Sequence, residues 1–140
     1  MGKLELIPLV KLPIVWKGCD IGDLLIKSME NNKFNLRKND LIVIAHKIVS
    51  ISEGRIVKLS DVKISSKAKK ISKKTNKSAE IIQLIINESD KILKVEKDFI
   101  LTKDKNGIVA ANAGVDQSNL KDRNQALLLP KNPDKSAKEI

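Results

Sequence analysis

Five consecutive apolar residues, Leu41-Ile42-Val43-Ile44-Ala45, narrow what this chain can fold into. Asn39-Asp40 punctuates the chain just before them, and the polar pair His46-Lys47 follows. A short unbroken apolar run between such signals reads as a strand covered on both faces. A strand of that kind needs packing layers above and below it. The layers must be built from aliphatic side chains, because aromatic residues make up only 2% of the 140 residues.

The rest of the chain offers those layers. Ile21, Leu24, Leu25 and Met29 recur at helical spacing after Asp20, which predicts a helix over 21–30. Ser78 caps a second helix, with Glu80 in its first turn and Ile81, Ile82, Ile85 and Ile86 on its apolar face. Lysines 63, 67, 69, 70, 73, 74 and 77 form a basic stretch without an acid. Ala68, Ile71 and Thr75 beneath them give a short helix with a solvated basic face. Strands are predicted over 3–9, 92–95, 99–102 and 108–111, with 56–59 a strand or extended edge. Asn106-Gly107 is the strongest hairpin signal. Between 46 and 55 the residues read either as a loop at the end of the buried strand or as a second strand with a bulge at Gly54. Glu53 and Arg55 are placed to pair with each other or with a substrate. Near the end, Asp134 or Ser136 is the predicted cap of a last helix. A capped helix with one remaining turn is physically odd, and it suggests a fragment or half of a split protein.

Composition bounds the function. The chain is 41% apolar and 31% charged with a net charge of +10, which fits one soluble domain over 1–140 and anionic partners. The single cysteine, Cys19, excludes an internal disulfide and a cysteine-based zinc site. His46 is the only histidine. No apolar run is long enough to span a bilayer, and Glu5 and Pro8 break any signal-peptide pattern. The cytoplasm is the default compartment. The basic stretch has no aromatic side chain for base stacking, so a nucleic-acid module is the second reading rather than the first.

The residues that carry chemistry lie in Asn112-Ala113-Gly114-Val115-Asp116-Gln117-Ser118-Asn119. Gly114 permits a turn or a close approach by a ligand. Asp116 is a hard oxygen donor suited to Mg²⁺ or Mn²⁺. Asn119 both donates and accepts, as a purine edge or a ribose requires. The plain alternative is a turn that hydrogen-bonds its own backbone.

This octapeptide lines up in order with Leu12-Pro13-Ile14-Val15, with Ile48-Val49-Ser50-Ile51-Ser52-Glu53-Gly54-Arg55, and with Leu127-Leu128-Leu129-Pro130 followed by Pro133-Asp134 and Ser136-Ala137. Together the pieces resemble the amino-terminal part of the coenzyme F(420)-0:L-glutamate ligase family. The order of the predicted strands and their short connections give an α+β fold, mainly an antiparallel sheet with two or three helices packed on it, truncated relative to that family. The resemblance implies a GTP-dependent ligase that adds L-glutamate to a deazaflavin cofactor precursor through an acyl phosphate, with Mn²⁺ or Mg²⁺ and with K⁺ as the candidate monovalent ion. It also implies a homodimer, or a chain that needs its carboxy-terminal half as a partner. By position, Leu12, Pro13, Ile14, Val15, His46, Lys47 and Asn119 contact the nucleotide, and Asp116 binds the metal. The chain departs from the family pattern at Ile51, where lysine is usual. The family's later Asp-Thr pair has no counterpart.

Overall fold

A computed structural model describes residues 3–118, 120 and 122–140. Among these residues five α-helices and five short strands follow one another as α1 (Ile21–Asn31), α2 (His46–Ser52), β1 (Ile56–Lys58), α3 (Ser66–Ser72), α4 (Ala79–Glu88), β2 (Ser89–Val95), β3 (Ile100–Asp104), β4 (Val109–Ala111), β5 (Gln125–Leu127) and α5 (Pro133–Glu139). The class is α+β, with every strand pair antiparallel. The strands form two sheets, not one: a β2-β3-β4 meander and a β1-β5 pair.

Local chemistry explains most elements. The Asp20 carboxylate accepts from the Asp23 amide and starts α1. Ser65 and Ser78 do the same for α3 and α4 through the amides of Ala68 and Ile81. On α3 only Ala68 is buried, and its lysines 67, 69 and 70 point to solvent. On α4 the apolar face is wide: Ile81, Ile82, Leu84 and Ile85 are all buried. These residues pack with Ala68, Ile100, Ala113, Val115, Ala126 and Leu128 in the main core. A second, smaller cluster joins Ile21 and Leu25 of α1 to Val49 of α2, with Leu9, Met29, Ile44 and Ile48 against it.

The β3-β4 hairpin follows its turn signal. Thr102 pairs with Ala110, and Gly107 takes a φ of +87° in the connection. The β1-β5 pair sets Val57 opposite Ala126.

Four sequence expectations are corrected. Residues 3–9 form no strand. Residues 41–45 form none either: Leu41 and Val43 are each 90% exposed, because the run meets no partner strand among the described residues. Residues 46–52 are neither loop nor strand but α2. That helix ends in a Schellman turn, where Gly54 at φ +68° lets the Arg55 amide reach the Ser50 carbonyl at 2.8 Å and its own amide reach the Ile51 carbonyl at 3.0 Å. Finally, Asn132, not Asp134 or Ser136, caps α5, and Pro133 occupies the first helical position. That shift lengthens the last helix to seven residues.

Candidate functional site

The Asp116 loop begins with a left-handed turn. Asn112, Ala113 and Gly114 have φ values of +56°, +50° and +69°. Asparagine and glycine tolerate this region; alanine does so at a cost of about 1 kcal/mol or more. Neighbours hold the turn in place. The Asn112 side-chain oxygen accepts from the Ile100 amide at 3.0 Å, and the Thr102 hydroxyl accepts from the Ala113 amide at 3.0 Å. Thr102 donates in turn to the Ala110 carbonyl at 2.9 Å. A Cβ on Gly114 would overlap the Leu129 side chain, so both its φ and its packing require glycine.

After the turn, Asp116 docks by its backbone on β5. Its amide donates to the Leu127 carbonyl at 2.9 Å, and the Leu127 amide donates back at 2.8 Å. Leu127 also pairs with Ile56 of β1, and β1 follows α2 directly after the Gly54 turn. The relay α2, β1, β5, Asp116 brings Lys47 to the loop across 69 positions of sequence. Lys47 Nζ lies 2.8 Å from Asp116 Oδ2. It also donates to the Ser118 hydroxyl at 3.3 Å and the Ser118 carbonyl at 3.4 Å.

Asp116 therefore has several partners. Its Oδ1 accepts from the Ser118 amide at 2.7 Å, and its Oδ2 accepts from the Ser118 hydroxyl at 2.9 Å. Partial burial alone would push the carboxyl up. The hydrogen bonds from Lys47 and Ser118, together with the Lys47 charge, outweigh that and hold it at about 2, below its ordinary 3.8. Asp116 is thus an anion across the physiological range, half-buried beside a cation that a competing anion could attract.

The other candidates spread out from this cluster. His46 is exposed at the first position of α2. Leu12, Pro13 and Val15 line an apolar cavity of about 490 Å³ that reaches Ala45 and Ile48 at the start of α2, while Ile14 is exposed. Asp116 does not line that cavity. Asn119 lies outside the described residues. Ile51 sits one turn after Lys47 on α2, so an apolar side chain follows the lysine on that helix. Arg55 and Glu53 do not pair with each other. Arg55 binds Glu88 at 2.7 Å and the Leu129 carbonyl at 2.8 Å, and Glu53 accepts from the Ser136 hydroxyl at 2.5 Å. Ser118 closes on Asp116 the self-bonded turn that the sequence offers as the plain alternative. Its signal is the Asp-x-Ser spacing, which lets a carboxylate cap the amide two residues on.

As a metal site the loop is partial. Among the described residues no group of three or more His, Cys, Asp or Glu side chains comes together. Asp116 offers one carboxylate, and both its oxygens are engaged. A divalent ion of the Mg²⁺ type takes one or two carboxylates with phosphate and water oxygens, so this donor set does not complete a site by itself.

Fold and site together define an α+β protein with a carboxylate–lysine–hydroxyl cluster set after a left-handed turn. Residues 9–140 match the family described as F420-0:Gamma-glutamyl ligase, and the chain belongs to that family. The coenzyme F420:L-glutamate ligase of Methanothermobacter thermautotrophicus is 39% identical over 137 residues, which is 98% of this chain and 54% of that protein. The ligase of the same name from Methanocaldococcus jannaschii is 39% identical over 138 residues, 99% of this chain and 53% of that protein. Another, from Methanococcus maripaludis strain C6, reaches 44% over 109 residues, 78% of this chain and 43% of that protein. The chain thus spans about half the length of the curated relatives it matches.

Proposed function

We propose that this chain supplies part of the active site of a cytoplasmic GTP-dependent γ-glutamyl ligase. The substrates in this reading are L-glutamate and the deazaflavin cofactor precursor F(420)-0. The observation that carries the reading is the Lys47–Asp116–Ser118 cluster, set on its left-handed turn in a chain that belongs to a glutamate ligase family.

Joining an amine to a carboxylate needs activation of the carboxylate. In this reading a precursor carboxylate oxygen attacks the γ-phosphorus of GTP, the bond to the β-phosphate oxygen breaks, and GDP leaves. The glutamate amine then attacks the acyl phosphate carbon. The amide bond forms, inorganic phosphate departs with the electron pair, and the amine proton passes to phosphate or solvent. Phosphoryl transfer of this kind depends on positioning and charge neutralisation. Lys47 is the cation for the transferred phosphate. Ser118 holds the Asp116 carboxylate in one orientation. The backbone of Leu12 to Val15, His46 and Asn119 contact the nucleotide. Mn²⁺ or Mg²⁺ would neutralise the phosphates, with Asp116 as one ligand and the remaining donors coming from the nucleotide and from outside this chain.

The test is a thermal scan of the chain, repeated with the complementary segment of a relative present, and with GTP plus Mn²⁺. Ligands that bind only the folded state raise the melting temperature. The reading expects a rise with both ligands that Asp116→Asn abolishes. No rise in either setting, or an equal rise in the variant, would contradict it.

A further inference from the structure

Residues 41–44 carry the period-two exposure of a strand but have no partner strand among the described residues. Exposure alternates along them: Leu41 90%, Ile42 46%, Val43 90%, and Ile44 half-buried against the Ile21–Leu25–Val49 cluster. One side of the run therefore rests on α1 and α2, and the other faces outward. Among the described residues, 41–44 make no backbone hydrogen bond to any other backbone group. Alongside, Leu4, Leu6 and Ile14 are 83–85% exposed. The cavity of about 490 Å³ opens between these two segments, and among the described residues only Glu5 and Asp40 bring charge to its wall.

An apolar surface of this extent beside backbone groups without backbone partners has the character of a docking surface. Its composition also says what kind. A transient interface is only about as apolar as the rest of a protein surface, whereas an obligate one resembles a domain core cut in two. Here the outward side chains are Leu, Ile and Val, the types that fill this protein's own core. The relatives named above carry nearly as much polypeptide again beyond the matched region. We infer that the face formed by residues 4–16 and 41–45 is the seat of that further family segment, which adds a strand to the 41–45 edge and fills the adjoining cavity with apolar side chains. This inference rests on family membership and on the packing, and it does not depend on GTP or a metal.

The experiment co-expresses the 140-residue chain with a tagged polypeptide covering the part of the Methanothermobacter relative that lies outside the matched region. Light scattering after size exclusion should give a one-to-one complex. Amide exchange of residues 41–45 should slow by about tenfold or more in that complex. Leu41→Glu and Val43→Glu, at sites already open to solvent, should each weaken the complex about tenfold or more and leave the melting temperature of the free chain unchanged. Val109→Glu, which is exposed on β4 outside both segments, should leave binding intact. Three results would overturn the inference: no complex, a complex in which 41–45 exchange as fast as in the free chain, or a chain that dimerises with itself through these segments. Each of these readouts is binding, so failure here is distinct from failure to find ligase activity.

Discussion

Asp116 serves two purposes that make separate demands on one carboxylate. As a turn-former it accepts from the Ser118 amide and hydroxyl, and as an ion it pairs with Lys47. The pair is about a third exposed, so solvent screening limits its worth to roughly 1 kcal/mol. Asp116→Asn should therefore cost about that much at pH 7 in a urea titration. The sign of the pH effect follows from the shift. A carboxyl lowered from 3.8 to about 2 stabilises the folded chain fully above pH 4 and loses the contribution as pH falls through 2. The stability gap between wild type and Asp116→Asn should shrink as pH falls from 4 through 2, and a gap that stays constant over that range would show that the charge is not the cause. Gly114→Ala should be more severe, because it meets both the left-handed φ and the Leu129 side chain. A loss of about 2 kcal/mol or more is expected in the same titration. A neutral result would mean that the turn is not fixed as described.

At the scale of elements, what could be read from sequence was whatever is local. Asp20, Ser78 and the Ile81–Ile85 spacing announce α1 and α4, and Asn106-Gly107 announces the β3-β4 hairpin. Each of these depends on residues within a turn or two of one another. Ser78→Ala should lower stability by about 1 kcal/mol, measured by chemical denaturation, because the Ile81 amide loses its acceptor. No loss would mean that water replaces the hydroxyl without penalty. Helix α2 was hidden because Ile48, Val49 and Ile51 are β-branched and serines alternate with them. Packing of Val49 and the Schellman turn at Gly54 override that preference, and the glycine was the clue. The β1-β5 pair and the Asp116–Leu127 bridge join short segments far apart in sequence, which no periodicity reveals. The apolar run 41–45 predicts cover on both faces, and the described residues cover one. Of the proposed site, Asp116 is legible through its neighbours Gly114 and Asn119. Its partner Lys47 came only through family resemblance, because no local pattern links positions 47 and 116.

The whole molecule is a well-packed α3-α4-meander core joined to a smaller α1-α2 cluster that is open on one side. The proposed site is similarly one-sided, with one carboxylate where a phosphate-bound divalent ion would need more oxygen donors. The purified chain should on this account show little or no glutamate ligation with GTP and Mn²⁺, followed by mass analysis of the deazaflavin product. Turnover at an ordinary enzyme rate, on the order of 10 s⁻¹, would mean that the described residues already form a full site.

The central claim is that Asp116 and Lys47 belong to a ligase site completed by further family sequence. The most direct measurement is glutamate incorporation into the deazaflavin precursor by the chain bound to the complementary segment of the Methanothermobacter relative. The wild-type complex should form the amide with stoichiometric release of GDP and phosphate. Asp116→Asn and Lys47→Met should each assemble equally well and lose about a hundredfold or more in rate. Full activity in both assembled variants would contradict the account.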